Sequence, residues 1–480
     1  MNILLLSNNA PNYFHFFNEI ARLLMRDGDK VVVAADSNFA RAENGLDQVG
    51  FSEVISFQDF FADHETDHAI LQRYGDLNLN AALLSDFERD AAYNVWGANP
   101  GMDFFDRIKS GLLTFYEQIF TRHQIDVVIY ENVASTQTHF ALFVAQRMGV
   151  RYVGLAGSRL PGRFGVTDDP MRDFETKRQF DLIRSGQAPL SDDLRAWAGD
   201  YIGTLETAVP DYMKFNKMER VAILSRYVRL HRLKKLRSLL RHIGDSRTGT
   251  VTLGNPLRTH VNLMRRNIAR RLKLRRIQRF YEKPRPGEDF LLYPLHFHPE
   301  ASTSVMCGTY LDEYEVIRNI AFNLPEGLRL YVKDHVTAFG FPSLDFYRRV
   351  ARLPNVRLLG PNEPTKQLIR ESRAVITLTS TVGYEALLLK KRVILYGSVF
   401  YDFHTGITKL RDPSALHGLI RQVVETPADW DDDYNVDFVS AYHRATLPAS
   451  LNLMLDGEAA KAEARKIYPL LRDAGYFSRA

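Results

Sequence analysis

The sequence predicts an α/β protein built from two doubly wound parallel sheets with a basic helical insertion between them. Three observations predict it. Short apolar runs alternate with helical patterns in the first third of the chain. The same rhythm returns more sharply after the break Pro284-Arg285-Pro286-Gly287. Between them strand signals fade and arginine and lysine accumulate.

In order, Ile3–Ser7 reads as a strand, Asn8–Asn12 as a loop, and Tyr13–Arg26 as a helix with Phe17, Ile20 and Leu24 at helical spacing. Asp27-Gly28-Asp29 turns the chain into a second strand, Lys30–Ala35. The region from there to Asp126 reads as helical. Asp126–Tyr130 is a strand ending at Glu131-Asn132, Ser135–Met148 a helix, and Arg151–Leu155 the next strand. Basic helices are expected over Ile223–Leu240 and Val261–Phe280. Beyond the break, strands are expected at Asp289–Leu295, Leu328–Lys333, Val356–Leu359, Ala374–Leu378 and Arg392–Tyr396. Helices are expected at Tyr310–Asn323, Leu344–Ala351, Thr365–Glu371 and Val382–Leu389. The expected domains are 1–168, an N-terminal Rossmann-like lobe; 169–285, a basic helical insertion; 286–456, a C-terminal Rossmann-like lobe; and 457–480, whose helix can cross back to the first lobe.

With 480 residues, 45% of them hydrophobic and 25% charged, the chain can bury two cores and is not of disordered composition. The opening Met1–Ser7 lacks a basic leader and reads as a buried strand, and no run approaches the roughly 18 apolar residues that span a bilayer. A single cysteine, Cys307, excludes an internal disulfide and fits a reducing compartment, so a cytoplasmic location is expected. The net charge of +5 conceals a strong asymmetry: Arg220 to Arg285 holds 20 Lys and Arg against two acids, Asp245 and Glu282. Such a surface suits an anionic partner, and an anionic membrane, with peripheral attachment at the inner membrane, fits better than nucleic acid because no nucleic-acid module accompanies it. A solvated insertion without a partner is the plain alternative.

Ligands of open parallel sheets bind at the carboxyl ends of the strands. There the second domain places His296–Thr303, Lys333-Asp334-His335 and Thr379–Ala386. Ser380 and Thr381 can cap the following helix, whose N–H groups favour a phosphate. Gly383 allows close backbone approach and Glu385 can reach ribose hydroxyls; the plain alternative is an ordinary helix cap. Lys333 and His335 can hold a diphosphate or phosphodiester leaving group, or form a solvated pair. His298 and Glu300 suit proton transfer or phosphate contact, with His296 the structural one of the two histidines. In the first domain Glu131 and His15 are candidate catalytic bases, with a cap or buried hydrogen bond as alternative roles. Arg159 and Arg163 can hold an anionic acceptor or anchor their loop. His64-Glu65-Thr66-Asp67-His68 has the spacing of a zinc-protease helix, but Asp67 is charged and no third ligand is apparent, so it reads as chance. No acidic cluster has metal-binding spacing; no metal and no cofactor are expected.

The blocks Tyr293–Thr303 (YPLHFHPEAST) and Leu378–Leu387 (LTSTVGYEAL) resemble the capsule polysaccharide biosynthesis family, which includes β-Kdo transferases. The resemblance covers mainly Asp289 to Thr405, with weaker support at Tyr130-Glu131-Asn132 and Ser158–Arg163. It implies two Rossmann-like lobes (GT-B-like), with the acceptor site in 1–168 and the nucleotide-sugar site in 286–456, and metal-independent glycosyl transfer from a nucleotide sugar, CMP-Kdo-like or UDP-linked, to a glycan or lipid-linked acceptor. It also implies that His298-Pro299 and Ser380-Thr381 meet the nucleotide phosphate. The departure is Val336 after His335, where a proline is expected, so His298 and His335 compete for one role. A sugar-nucleotide epimerase of the same architecture and a non-catalytic polysaccharide-binding or assembly protein are the rival readings.

Overall fold

Strand β1 (Asn2–Ser7) is apolar throughout its middle, and Ile3, Leu4 and Leu6 are fully buried, as a central parallel strand covered on both faces requires. It pairs in parallel with β2 (Lys30–Ala35) on one side and β4 (Val127–Glu131) on the other, Leu4 lying opposite both Val32 and Val128. Adding β3 (Glu53–Ser56), β5 (Arg151–Gly157) and β6 (Phe164–Thr167) gives the order β3-β2-β1-β4-β5-β6. Only β6 is antiparallel, a hairpin return from β5. Neither β3 nor β6 was expected: both are four-residue edge strands, too short to show a period against their polar surroundings.

The second sheet is wholly parallel. Its strands are β7 (Phe290–Pro294), β8 (Arg329–Lys333), β9 (Val356–Leu359), β10 (Ala374–Thr377), β11 (Val393–Leu395) and β12 (Ile407–Lys409), in the order β12-β11-β10-β7-β8-β9. Leu291, Leu330, Val332, Ile376 and Ile394 form its core with the helix residues Ile317 and Ile320. The chain runs outward from β7 through β8 to β9, then returns to the centre and runs outward from β10. Strand order therefore reverses between β7 and β10, as it does between β1 and β4 in the first sheet.

The structure, a computed structural model, describes residues 1–93, 95–96, 101–169, 174–207, 240 and 255–478. The expected helix Ile223–Leu240 lies, but for Leu240, outside them. The chain divides into two compact units. The first contains residues 1–170, described residues within 222–265, and 447–480; the second contains residues 266–446 with described residues within 171–221. In the first unit, helix Gly457–Asp473 lies on helix Tyr13–Arg26, with Arg465 donating to Glu19 at 2.7 Å and the Tyr468 hydroxyl to Asp27 at 2.7 Å. In the second unit, helices Phe174–Arg184 and Asp192–Gly203 pack on helix Asp432–Arg444, joined by the Arg184–Asp437 ion pair at 3.0 Å. Residues 169–285 were expected as one insertion. The observed division differs because these two helices and the end of helix Pro256–Ile277 pack with the second sheet, where Ile277 is fully buried in the core.

Ile376 lies at the middle of β10 with no exposure. Ile376→Ala should cost about 2–5 kcal/mol and lower the urea midpoint at which the second unit unfolds. The measurement is fluorescence-monitored denaturation.

Candidate functional site

The reversal between β7 and β10 sets the end of one strand beside the end of the other, and the side chains there are tied into a single network. At its centre is Glu313, the first residue of helix Glu313–Phe322. Its Oε1 accepts from the Tyr293 hydroxyl at 3.0 Å, the His296 backbone N–H at 3.0 Å and His296 Nδ1 at 2.8 Å. Its Oε2 lies 3.5 Å from His298 Nε2. Burial works against the charged form, yet the hydrogen bonds from His296 and His298 prevail and hold the carboxyl down to about 2.

This fixes the chemistry of His296. Its Nδ1 faces the carboxylate as a donor, so Nε2 carries the lone pair and accepts from the Thr377 hydroxyl at 3.1 Å and the Thr379 N–H at 3.4 Å. His296 is thus a neutral clasp holding the end of β7 to the end of β10. His298, half-buried and joined to Pro299 by a cis peptide bond, sits at the other carboxylate oxygen. Thr379 Oγ1 donates to the Ser302 carbonyl at 2.8 Å, tying the β10 end to the turn Ala301–Ser304. Glu300 caps that turn through a box with Thr303.

Ser380 caps helix Thr381–Leu388, its Oγ accepting from the Val382 N–H at 3.1 Å; Ser380, Thr381 and Glu385 are half-buried. The close approach that Gly383 permits is taken up by a side chain rather than left to a ligand. A Cβ there would stand 2.6 Å from the Tyr401 hydroxyl, which itself donates to the Ser380 carbonyl at 2.5 Å. Gly397, beyond β11, is similarly required, since a Cβ would lie 2.5 Å from the Thr379 methyl.

The end of β8 contributes differently from expectation. Lys333 turns inward, and its Nζ donates to the carbonyls of Asp334 at 3.2 Å and Pro361 at 3.0 Å. Burial lowers it to about 8. As placed, this ammonium staples the β8 and β9 loops together. Asp334 is buried and raised by that burial to about 6 while accepting from the Tyr281 hydroxyl at 2.5 Å. His335 Nδ1 accepts from the N–H groups of Thr337 at 3.2 Å and Ala338 at 3.3 Å. The proton therefore sits on Nε2. Burial, reinforced by the charge of Lys333, lowers its pKa to about 4, so His335 is a neutral N–H donor near pH 7.

In the first unit, Glu131 ends β4 beside β1. Burial raises its carboxyl to about 7 against the opposing influence of Arg89 and a hydrogen bond from Tyr13. Arg89 is held by Asp86 at 2.5 Å, whose other oxygen accepts the Thr136 N–H at 2.9 Å. Asp36, at the end of β2, is fully buried and likewise raised to about 7 by burial, with Ser37 Oγ donating to it at 2.9 Å. His15 lies in the first turn of helix Tyr13–Arg26, lowered by burial although Asp456 opposes this. Arg159 and Arg163 are half-buried on the turn from β5 to β6, and burial pushes the Arg163 guanidinium below its ordinary value. His64 and His68 do not share a helix face: Asp67 caps helix His68–Arg73, and His64, outside it, meets Ser110 Oγ at 2.9 Å. Among the described residues no three His, Cys, Asp or Glu side chains are grouped to hold a metal ion.

Glu313, Asp334, Arg89 and Asp36 were not singled out in the sequence. Asp312-Glu313 reads as an ordinary acidic helix start, and Asp36-Ser37 as another cap. The one available signal was position, since Asp334 and Asp36 both follow strand ends.

A family model described as capsule polysaccharide biosynthesis protein matches residues 252–422. Protein FixF of Sinorhizobium fredii (strain NBRC 101917 / NGR234) is 33% identical over 110 residues, 22% of this chain and 25% of that protein. The chain thus spans a quarter of the length of this curated relative. Among solved structures, KpsC of Thermosulfurimonas dismutans, a β-Kdo 2,4 transferase, aligns at 15% identity with a TM-score of 0.32, covering 68% of this chain and 85% of that one. UDP-GlcNAc 2-epimerase of Methanocaldococcus jannaschii aligns at 10% identity with a TM-score of 0.27, covering 92% and 99%.

Because the folded pKa of Glu313 lies below its ordinary 4.5, its stabilising effect is present above that value and is lost as pH falls toward about 2. Glu313→Gln should therefore remove part of the acid-induced loss of stability between those pH values. Thermal melts of both proteins across that range check it.

Proposed function

We propose that this chain, whose residues 252–422 match the capsule polysaccharide biosynthesis family model, is a metal-independent glycosyltransferase using a nucleotide-activated sugar, CMP- or UDP-linked, to extend a glycan or lipid-linked acceptor. One observation carries the reading. At the reversal of the second sheet, inside the family segment, three imidazoles and a capped helix start converge where a parallel sheet receives a phosphorylated ligand.

The roles follow from the protonation states. Ser380, Thr381 and the positive end of helix Thr381–Leu388 receive the phosphate nearest the sugar, with His335 offering a neutral Nε2–H. His298 acts as an imidazolium, Nε2 toward the Glu313 carboxylate and Nδ1–H donating to the departing phosphate oxygen. Charge that develops as the bond from sugar carbon to phosphate oxygen breaks is met by donors already oriented. Glu385 binds the ribose. Glu300, busy capping its turn, shapes the loop that carries His298. In the first unit Glu131 is the proposed base for the proton of an acceptor hydroxyl, with His15 as the second candidate; a carboxyl near 7 suits a base working at neutral pH. Arg159 and Arg163 bind the acceptor's anionic groups.

The test is a thermal-shift screen of CMP, UDP, GDP and TDP sugars, followed by transfer assays with EDTA present. One nucleotide class should raise the melting temperature, and His298→Ala should lower transfer by about 10²-fold or more. Ser380→Ala should weaken donor binding. No nucleotide affinity, or full transfer by both variants, rejects the reading. Donor turnover without an acceptor would mark an epimerase instead. In a pH profile, the rate should rise through pH 7 as Glu131 ionises, and Glu131→Gln should lose that limb.

A further inference from the structure

Helix Pro256–Ile277 contains no acidic residue, and its two faces do different things. The inner face is fully engaged. Buried Arg270 donates from Nε to the Phe339 carbonyl at 2.8 Å and from a terminal nitrogen to the Thr337 carbonyl at 3.0 Å, and its guanidinium lies 4.1 Å from the Phe341 ring centre. Lys273 donates to the carbonyls of Phe341 at 3.3 Å and Pro342 at 2.5 Å. Leu274 packs so closely on Gly340 that a Cβ there would stand 2.6 Å away. The helix is thus fixed, through its inner cations, to the loop that follows His335.

The outer face carries apolar side chains where a solvated helix would carry polar ones. Met264, Ile268 and Leu272 are 45%, 53% and 75% exposed. At intervals of four residues they form one stripe along the axis. Arg265, Arg271, Arg275 and Arg276 are also exposed and run within and beside that stripe. A polyanion in water would reward the arginines but not the burial of methionine, isoleucine and leucine. An anionic bilayer surface rewards both, taking the apolar side chains below the headgroups while the guanidiniums meet phosphates. Among the described residues no helix is long and apolar enough to cross a membrane, so such contact lies along the surface.

We propose that the outer face of helix Pro256–Ile277 docks this protein on an anionic lipid bilayer, with Ile268 and Leu272 inserted and Arg271, Arg275 and Arg276 on the headgroups. This does not depend on the glycosyltransferase reading. The test is co-sedimentation of the full chain with vesicles of phosphatidylcholine alone or mixed with phosphatidylglycerol. The wild type should sediment with the mixed vesicles and not with phosphatidylcholine alone. Both Ile268→Glu/Leu272→Glu and Arg271→Glu/Arg275→Glu should lower the bound fraction about tenfold. All four side chains are exposed, so circular dichroism should match the wild type. A polarity-sensitive dye placed on Ile268→Cys should brighten with mixed vesicles; Cys307 is buried and leaves the label selective. The proposal is overturned by equal binding to both vesicle types, by no binding to either, or by full binding of the Ile268→Glu/Leu272→Glu protein. RNA binding that removes the protein from vesicles and ignores the apolar substitutions would assign the arginines to nucleic acid and also overturn it.

Discussion

A buried carboxylate governs the second unit's strand-end crevice. Glu313 stays ionised because His296 and His298 turn toward it, while the Tyr293 hydroxyl donates to the same oxygen as His296. In accepting from them it fixes the His296 tautomer, and His296 in turn holds Thr377 and Thr379. The ends of β7 and β10 are joined by side chains at the place where the chain's reversal leaves them without a connecting loop. Remove the charge, and the donors on Tyr293 and His296 face a group that no longer answers all of them.

The two units meet the same topological constraint with different chemistry. Each sheet reverses beside its first strand, and each sets buried polar residues at the reversal. In the first unit the neighbourhood holds Glu131 and Asp36, carboxyls raised toward neutrality by burial, with Arg89 already committed to Asp86. In the second, imidazoles and a helix start predominate around a carboxylate held strongly ionised. One crevice is suited to accepting a proton near neutral pH, the other to receiving negative charge.

Much of this architecture was readable because it rests on local pattern. The apolar runs of β1, β4, β7 and β10, and the Ser380 cap, announce themselves within ten residues. Edge strands β3 and β6 did not, since four residues show no period. At the candidate site, the sequence points to loops that the fold gathers at the strand ends but not to what each side chain does there. Lys333 beside His335 looks like a phosphate clamp until its ammonium is seen bound to the Pro361 carbonyl, a partner 28 residues away. Gly383 looks like room for a ligand until Tyr401 fills it. Glu313 was invisible because its importance lies in partners supplied from another loop, and nothing at an acidic helix start distinguishes a carboxylate in solvent from one at the centre of a network.

The helix Gly457–Asp473 lying on helix Tyr13–Arg26 bears on how the molecule comes into being. During synthesis the first sheet emerges early, but the Arg465 and Tyr468 that satisfy Glu19 and Asp27 are made only after the whole of the second sheet. The second unit can close around its core while the ribosome is still at work; the first must wait with one helix face uncovered. The unit begun first is finished last.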